Sequence, residues 1–255
     1  MTPLLSEILN LQIGNFISLS GGGGKTSILY TLARENYLSG GLYTTTTKMF
    51  NPRLDNHPFQ EIHLDWPSAD PPPFIPGSCF VAGEIIKSAT PGVKDKVRGL
   101  SNKLLESWNS MGSWPILIIE ADGAAGRPIK FPSKKEPVIP AEVNHAVGCI
   151  GLEALGAKVT ESMVHRPDLF KNHLPLDRGS QISPGTLAAL INRKNGLFKN
   201  CPEKHSVKKT VILNKIDLLN PEFEIHDLIA YLTRECPSVR IIGTCLKTGQ
   251  TVFQD

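Results

Sequence analysis

Cysteine is scarce and scattered. Five residues, at 79, 149, 201, 236 and 245, include no C-x-x-C pair. That argues against a disulfide framework or a structural zinc cluster and fits a reducing, cytoplasmic setting. An excess of charge of one sign is also missing: the formal net charge is +3, too small to point to nucleic acid or a membrane surface. No apolar run approaches a membrane span. Residues 1–14 have no basic start and no small-residue cleavage site, so no signal peptide is expected there. The seven histidines show no metal-ligand spacing, so neither a zinc nor a nickel site is expected. Internal repeats are absent. What remains is ordinary globular composition, 40% apolar and 20% charged over 255 residues, enough for one large α/β domain spanning 1–255.

The chain is organised around Ser18-Leu19-Ser20-Gly21-Gly22-Gly23-Gly24-Lys25-Thr26-Ser27. An apolar run, Phe16 to Leu19, reads as a buried strand, and Thr26 to Asn36 reads as an amphipathic helix. Strand, glycine loop, Gly-Lys-Thr and helix is the context of a phosphate-binding P-loop. Its glycines let backbone N–H groups face phosphates, and the helix N-terminus adds positive partial charge. Lys25 is expected to reach the β- and γ-phosphates, and Thr26 to bind Mg²⁺. Gly21, Gly22, Gly23, Gly24 and Ser27 complete the cradle. Leu19 stands where the usual pattern starts with glycine. The stretch instead fits the Gly-Gly-x-Gly-Lys-Thr variant of metal-insertion and signal-recognition GTPases, many of which carry an extra lysine where this chain has Ser20.

Further along, residues 3–13 read as a short helix and Leu42 to Thr47 as a second strand ending in Lys48. Phe59 to Leu64 reads as an edge piece. Five prolines between 67 and 77 make an irregular connector, after which Cys79 to Ala82 resumes as a strand. Val93 to Met111 carries a helical stripe and is the longest helix candidate. Pro115 to Ile119 reads as a doubly buried parallel strand. Strands at 143–150, 210–213 and 239–242, the last closing the fold, alternate with helices at 183–191 and 221–233. His165-Arg166-Pro167-Asp168 reads as a helix start, within an insertion at about 125–205. The sum is a three-layer, P-loop NTPase-like α/β fold with a mostly parallel sheet and helices on both faces. Ligands of such sheets bind at the carboxyl ends of strands, where every polar motif falls.

Two motifs extend the nucleotide reading. Glu120-Ala121-Asp122-Gly123 ends the buried strand, and either carboxylate can hold Mg²⁺ or orient a water. Asn214-Lys215-Ile216-Asp217 follows a strand as the guanine-reading Asn-Lys-x-Asp does in GTPases, with Asp217 accepting from ring N1 and the exocyclic amine. Gly243 to Lys247 is a candidate for the loop beneath the base. Lys48 can stabilise charge on a phosphate or grip an anionic substrate, and the four threonines before it can offer a hydroxyl. By composition, however, Lys48 reads as a solvated strand end, and Arg127, Lys130, Lys134 and Lys135 as a solvated basic loop. His165 and Arg166 read as a surface helix start or a substrate contact.

Taken together, Ser20 to Ser27, Thr44 to Met49, Glu120 to Pro128, Glu136-Pro137-Val138-Ile139-Pro140 and Val164-His165-Arg166-Pro167 resemble the YqeC family, over about residues 15–220. That family is described as a selenium-dependent molybdenum hydroxylase accessory protein of selenium cofactor biosynthesis. The resemblance implies a cytosolic nucleotide-binding protein that helps mature a molybdenum hydroxylase, with the apo hydroxylase or other selenium-cofactor accessory proteins as partners. It also shifts Lys48, Arg127 and Arg166 toward function. The chemistry is left open among an Mg²⁺-dependent NTPase, GTP favoured over ATP, a small-molecule or inorganic-anion kinase, and a non-hydrolysing nucleotide-gated switch.

Overall fold

A computed structural model describes residues 3–35, 40–177, 179–204 and 206–253. Nine strands form the main sheet, here numbered in chain order and given in spatial order. They are β14 (Gln250–Phe253), β13 (Arg240–Cys245), β12 (Lys208–Asn214), β10 (His145–Gly151), β1 (Asn15–Gly21), β8 (Ile116–Glu120), β2 (Gly40–Thr45), β5 (Gly77–Val81) and β4 (Glu61–His63). Every neighbouring pair is parallel except β13 with β14. Two smaller pairings flank it. β3 (Met49–Phe50), β7 (Lys96–Val97) and β6 (Ile85–Ile86) are antiparallel, and β9 (Ile129–Lys130) lies parallel to β11 (Val164–His165).

The helices are α1 (Leu5–Ile8), α2 (Lys25–Glu35), α3 (Asn102–Met111), α4 (Pro167–His173), α5 (Pro184–Asn192) and α6 (Ile225–Glu235). Strand side chains alternate between faces, and the core divides accordingly. Ile17, Leu19, Tyr43, Ile118, Val147 and Ile212 pack with α1 and α2. On the opposite face Phe16, Leu42, Leu117 and Ile119 pack with Leu105 and Trp108 of α3. There too Ala146, Val211, Leu213 and Ile241 pack with α4, α5 and α6. This is the expected three-layer α/β arrangement, with β1 at its centre between β8 and β10. The stretch 125–205 contributes β10 to that centre. The proline-rich connector carries no regular element before β5. No helix among the described residues is long and apolar enough to cross a membrane.

Three expectations need correction. The stripe at 93–111 becomes a helix only from Asn102, capped by the Ser101 hydroxyl, which accepts from Leu104 N–H at 3.3 Å. Ahead of it the chain runs extended. Val97 sits in β7, and Leu100 N–H donates to the Thr45 carbonyl at 2.8 Å. Gly99 passes so close to β2 that a Cβ there would lie 2.3 Å from the Thr46 carbonyl carbon, so sheet packing overrides the helical pattern. The helix expected at 3–13 is one turn long, because Asn10 takes a positive φ and turns the chain, though Leu9 and Leu11 remain buried. The strand at 240–245 is not the last: a turn with Gly249 at φ +76° returns the chain as antiparallel β14. The loop expected beneath a base at 243–247 is therefore the end of β13 and this hairpin turn. Asn36, the last residue of the helix expected after the glycine loop, lies outside the described residues.

Candidate functional site

β1 runs into the glycine loop, and α2 leaves it at Lys25. The loop is pressed against the carboxyl end of β10 so closely that Gly23, at φ +80°, would place a Cβ 2.1 Å from Gly151 N. Three loop amides are used by the protein: Gly21 N–H donates to both Asp122 oxygens (3.2 and 3.1 Å), Gly22 N–H to the Cys149 carbonyl (2.9 Å) and Gly23 N–H to the Arg127 carbonyl (3.0 Å). The expectation that the whole loop faces a ligand is thereby narrowed. The N–H groups of residues 24–27 open the helix, and none meets an acceptor among the described residues. Four free amides at a helix start favour an anion.

Beneath the loop lies a chain of charges. The Lys25 ammonium donates to the Gly21 carbonyl at 2.6 Å and lies 3.2 Å from Asp122 and 3.9 Å from Glu120. Lys130 sits 3.1 Å from Asp122 and 2.9 Å from Glu136, and Arg166 caps the row by binding Glu136. Three carboxylates thus alternate with three cations. Lys25, Asp122 and Lys130 are buried. Burial alone would lower the Lys25 pKa, but Asp122 and then Glu120 outweigh it and hold the ammonium charged. Burial raises Glu120 above the ordinary carboxyl range against the pull of Lys25 and the Thr26 hydroxyl. Burial also pushes the Cys149 thiol, on the neighbouring strand, up to about 12, so it stays neutral.

Glu136 behaves oppositely. Burial would raise it, but Arg166 and Lys130 together hold it down at about 2 from an ordinary 4.5. A lowered carboxyl stabilises the fold fully above its unfolded pKa and loses that stabilisation as pH falls through its folded one. Between about pH 4.5 and 2 the protein should therefore lose roughly 2 kcal/mol through this group, discounted for its partly exposed edge. Glu136→Gln should start lower at pH 7 and show a flatter stability profile across that window in urea titrations. Equal slopes for the two proteins would remove the linkage.

Above the network opens a cleft of about 890 Å³. Gly23, Gly24, Lys25, Thr26, Ser27, Lys48, Glu120, Arg127, His165, Arg166 and Lys215, all expected site residues, line it. The Thr26 hydroxyl donates to Glu120 at 2.8 Å. The second strand's threonines divide by role: the hydroxyls of Thr44, Thr45 and Thr46 donate to the Val81, Glu120 and Val138 carbonyls, whereas the Thr47 hydroxyl has no partner among the described residues and its residue lines the cleft. Lys48 and Arg127 make no ion pair among the described residues, and Lys96 makes only a cation–π contact with Phe50 at 5.2 Å. The His165 ring is held below its usual pKa by burial and then by Arg166 and Lys130.

Gly21, Gly22, Asp122, Asn214 and Asp217 do not line the cleft. Asp122 lies under the loop as its clamp. Asn214 donates to the Gly23 carbonyl at 2.8 Å and so braces the loop from β12. Lys215, at φ +64°, pairs with Glu153. Asp217 is exposed, and its carboxylate has no hydrogen-bond or ion-pair partner among the described residues. Sequence reasoning missed Lys130, taken for part of a solvated loop. It is fully buried because β9 pairs with β11, where His165 lies opposite it. Lys134 and Lys135 are exposed, as expected of that loop. Glu136 and Gly151 were also not singled out as site residues. The only signal for Glu136 was its place in the Glu-Pro-Val-Ile-Pro block.

The family model described as YqeC protein matches residues 17–168, which span the glycine loop, Lys48, Glu120, Asp122, Lys130, Glu136 and Arg166. A protein of Escherichia coli (strain K12), named uncharacterized protein YqeC, is 32% identical over 192 residues, covering 73% of this chain and 71% of its own length. No solved structure matches the chain. With the family's match extending over more than half of the sequence and a relative of this identity and coverage, the chain belongs to the YqeC family.

Proposed function

We propose that this protein is a Mg²⁺-dependent P-loop nucleoside triphosphatase of the cytoplasm that assists selenium and molybdenum cofactor maturation of a molybdenum hydroxylase. The observation that carries the nucleotide reading is the set of four unpartnered amides at 24–27 beside Lys25 and the Thr26–Glu120 pair, all in one cleft. The maturation role rests on the family resemblance. Thr26 and Glu120 offer hard oxygen donors side by side, which suits Mg²⁺, and the unpartnered Thr47 hydroxyl adds a third. Bound there, Mg²⁺ supplies positive charge to phosphate oxygens. Lys25 then exchanges the Gly21 carbonyl for phosphate, while Asp122 and Asn214 keep the loop in shape. Glu120 faces the cleft and Asp122 does not, so Glu120 takes the metal-side role.

The test is binding of a nucleotide panel with Mg²⁺, followed by product analysis. Lys25→Ala should cut phosphate release by on the order of 10²–10³-fold. Thr26→Ala, which leaves the buried charges in place, should reduce it without unfolding the protein. Release unchanged in both variants defeats the proposal, and tight binding without turnover identifies a switch. GTP is the favoured nucleotide because the free Asp217 carboxylate can accept from guanine. Asp217→Asn should then weaken the preference for GTP over ATP. An unaltered preference removes that assignment.

A second reading is favoured by one observation: Lys48, Lys96 and Arg127 line the cleft and form no ion pair among the described residues. Such charges suit an anionic phosphoryl acceptor in place of water. A phosphorylated product in the same assay, in place of free phosphate, distinguishes the two.

A further inference from the structure

At the far edge of the sheet, away from the cleft, Glu61, His63 and Cys79 bring three different donor atoms together. Glu61 and His63 are two residues apart on β4, so their side chains share a face. Register places Cys79 of β5 directly beside Glu61. The carboxylate oxygen, imidazole nitrogen and thiol sulfur all lie within 4.8 Å of one another, the only such trio among the described residues. Glu61 is exposed, His63 half-buried and Cys79 fully buried. The trio therefore has its soft donor on the buried side and its hard donor on the exposed side. His63 Nε2 is 2.9 Å from Glu61 Oε2, and the His63 ring packs against Trp66 at 4.9 Å, which limits its rotation.

We propose that this trio is a binding site for a zinc-class divalent cation, distinct from the Mg²⁺ site of the cleft. A thiolate, an imidazole and a carboxylate are the donors that zinc and its neighbours prefer, and a thiolate disfavours Mg²⁺. Bonds of about 2.0–2.3 Å at tetrahedral angles set ligand atoms roughly 3.3–3.8 Å apart, so the observed spacing closes onto an ion by small side-chain shifts. On binding, the ion displaces the Cys79 thiol proton to solvent and replaces any proton shared between His63 and Glu61. Three protein ligands leave a fourth position, on the exposed side of β4, for water or a donor from another molecule. Spacing along the chain concealed the site because its third ligand comes from a neighbouring strand.

The experiment is titration of the reduced, metal-free full chain with Co²⁺ as a spectroscopic substitute for Zn²⁺. The expected result is one equivalent bound with a thiolate-to-cobalt charge-transfer band, bleached by Zn²⁺ and unaffected by excess Mg²⁺. Cys79→Ser should abolish the band. Since Cys79 lies in the core, His63→Ala on the edge strand is the companion, expected to weaken binding at least about tenfold. No band, a band that survives Cys79→Ser, or unchanged affinity in His63→Ala would each overturn the assignment.

Discussion

Asp122→Ala is expected to lower the unfolding free energy by about 3–5 kcal/mol. Asp122 is 1% exposed and its two oxygens serve three partners: Gly21 N–H, Lys25 and Lys130. Removing it leaves two buried ammonium groups sharing what remains. Lys25 keeps the Gly21 carbonyl at 2.6 Å but no carboxylate nearer than Glu120 at 3.9 Å, and Lys130 keeps the Gly123 carbonyl at 2.7 Å and Glu136 at 2.9 Å. Burying an ion pair gains little over an apolar pair, but breaking one strands a charge in low dielectric. Asp122→Asn should fall between the variant and the native protein, because an amide oxygen can still accept from Gly21 while the charge is gone. The contrast is Lys194–Glu203, a 3.0 Å pair whose side chains are 89% and 80% exposed. Lys194→Ala should leave the urea midpoint unchanged. If Asp122→Ala shifts the midpoint no more than Lys194→Ala, the charges under the loop are solvated in solution and the buried network is not a stabilising unit.

The same network shows what a sequence can and cannot reveal. Continuous apolar runs mark β1, β8 and β12, and helical periodicity marks α2, because local pattern there agrees with tertiary demand. It misleads at 93–100, where an apolar stripe of helical spacing is used by β7 and by the close pass of Gly99 along β2. The glycine loop, Glu120 and Asn214 are legible because each sits within a short motif tied to a strand end. Lys130 and Glu136 are not, since a buried lysine has the same local signature as a solvated one. Only the β9–β11 pairing, between segments 35 residues apart at His165 and Lys130, turns that loop inward. Roles within a motif are equally hidden. Glu120 and Asp122 are interchangeable on paper, yet Glu120 is the last residue of β8 and lines the cleft, whereas Asp122, past the end of the strand, lies beneath the loop.

Gly23→Ala should cut nucleotide affinity by more than about 100-fold, reducing loop and helix start to a poor anion site. The position combines two prohibitions. Its φ of +80° is one that alanine adopts at a cost, and the new methyl would stand 2.1 Å from Gly151 N and 2.5 Å from Gly151 Cα. Both obstacles are backbone of β10, a central strand that cannot retreat. The loop must therefore lift, breaking Gly23 N–H to the Arg127 carbonyl at 3.0 Å and Asn214 to the Gly23 carbonyl at 2.8 Å. Lifting the loop turns the 24–27 amides away from a shared focus. Gly123→Ala provides the control. It lines the same cleft, but a Cβ there meets nothing within 4 Å and its φ is not in the left-handed region. That variant should bind nucleotide as the native protein does. Equal affinity in the two variants would mean that the close seating of the loop on β10 is irrelevant to the ligand, and that the anion is held elsewhere in the cleft.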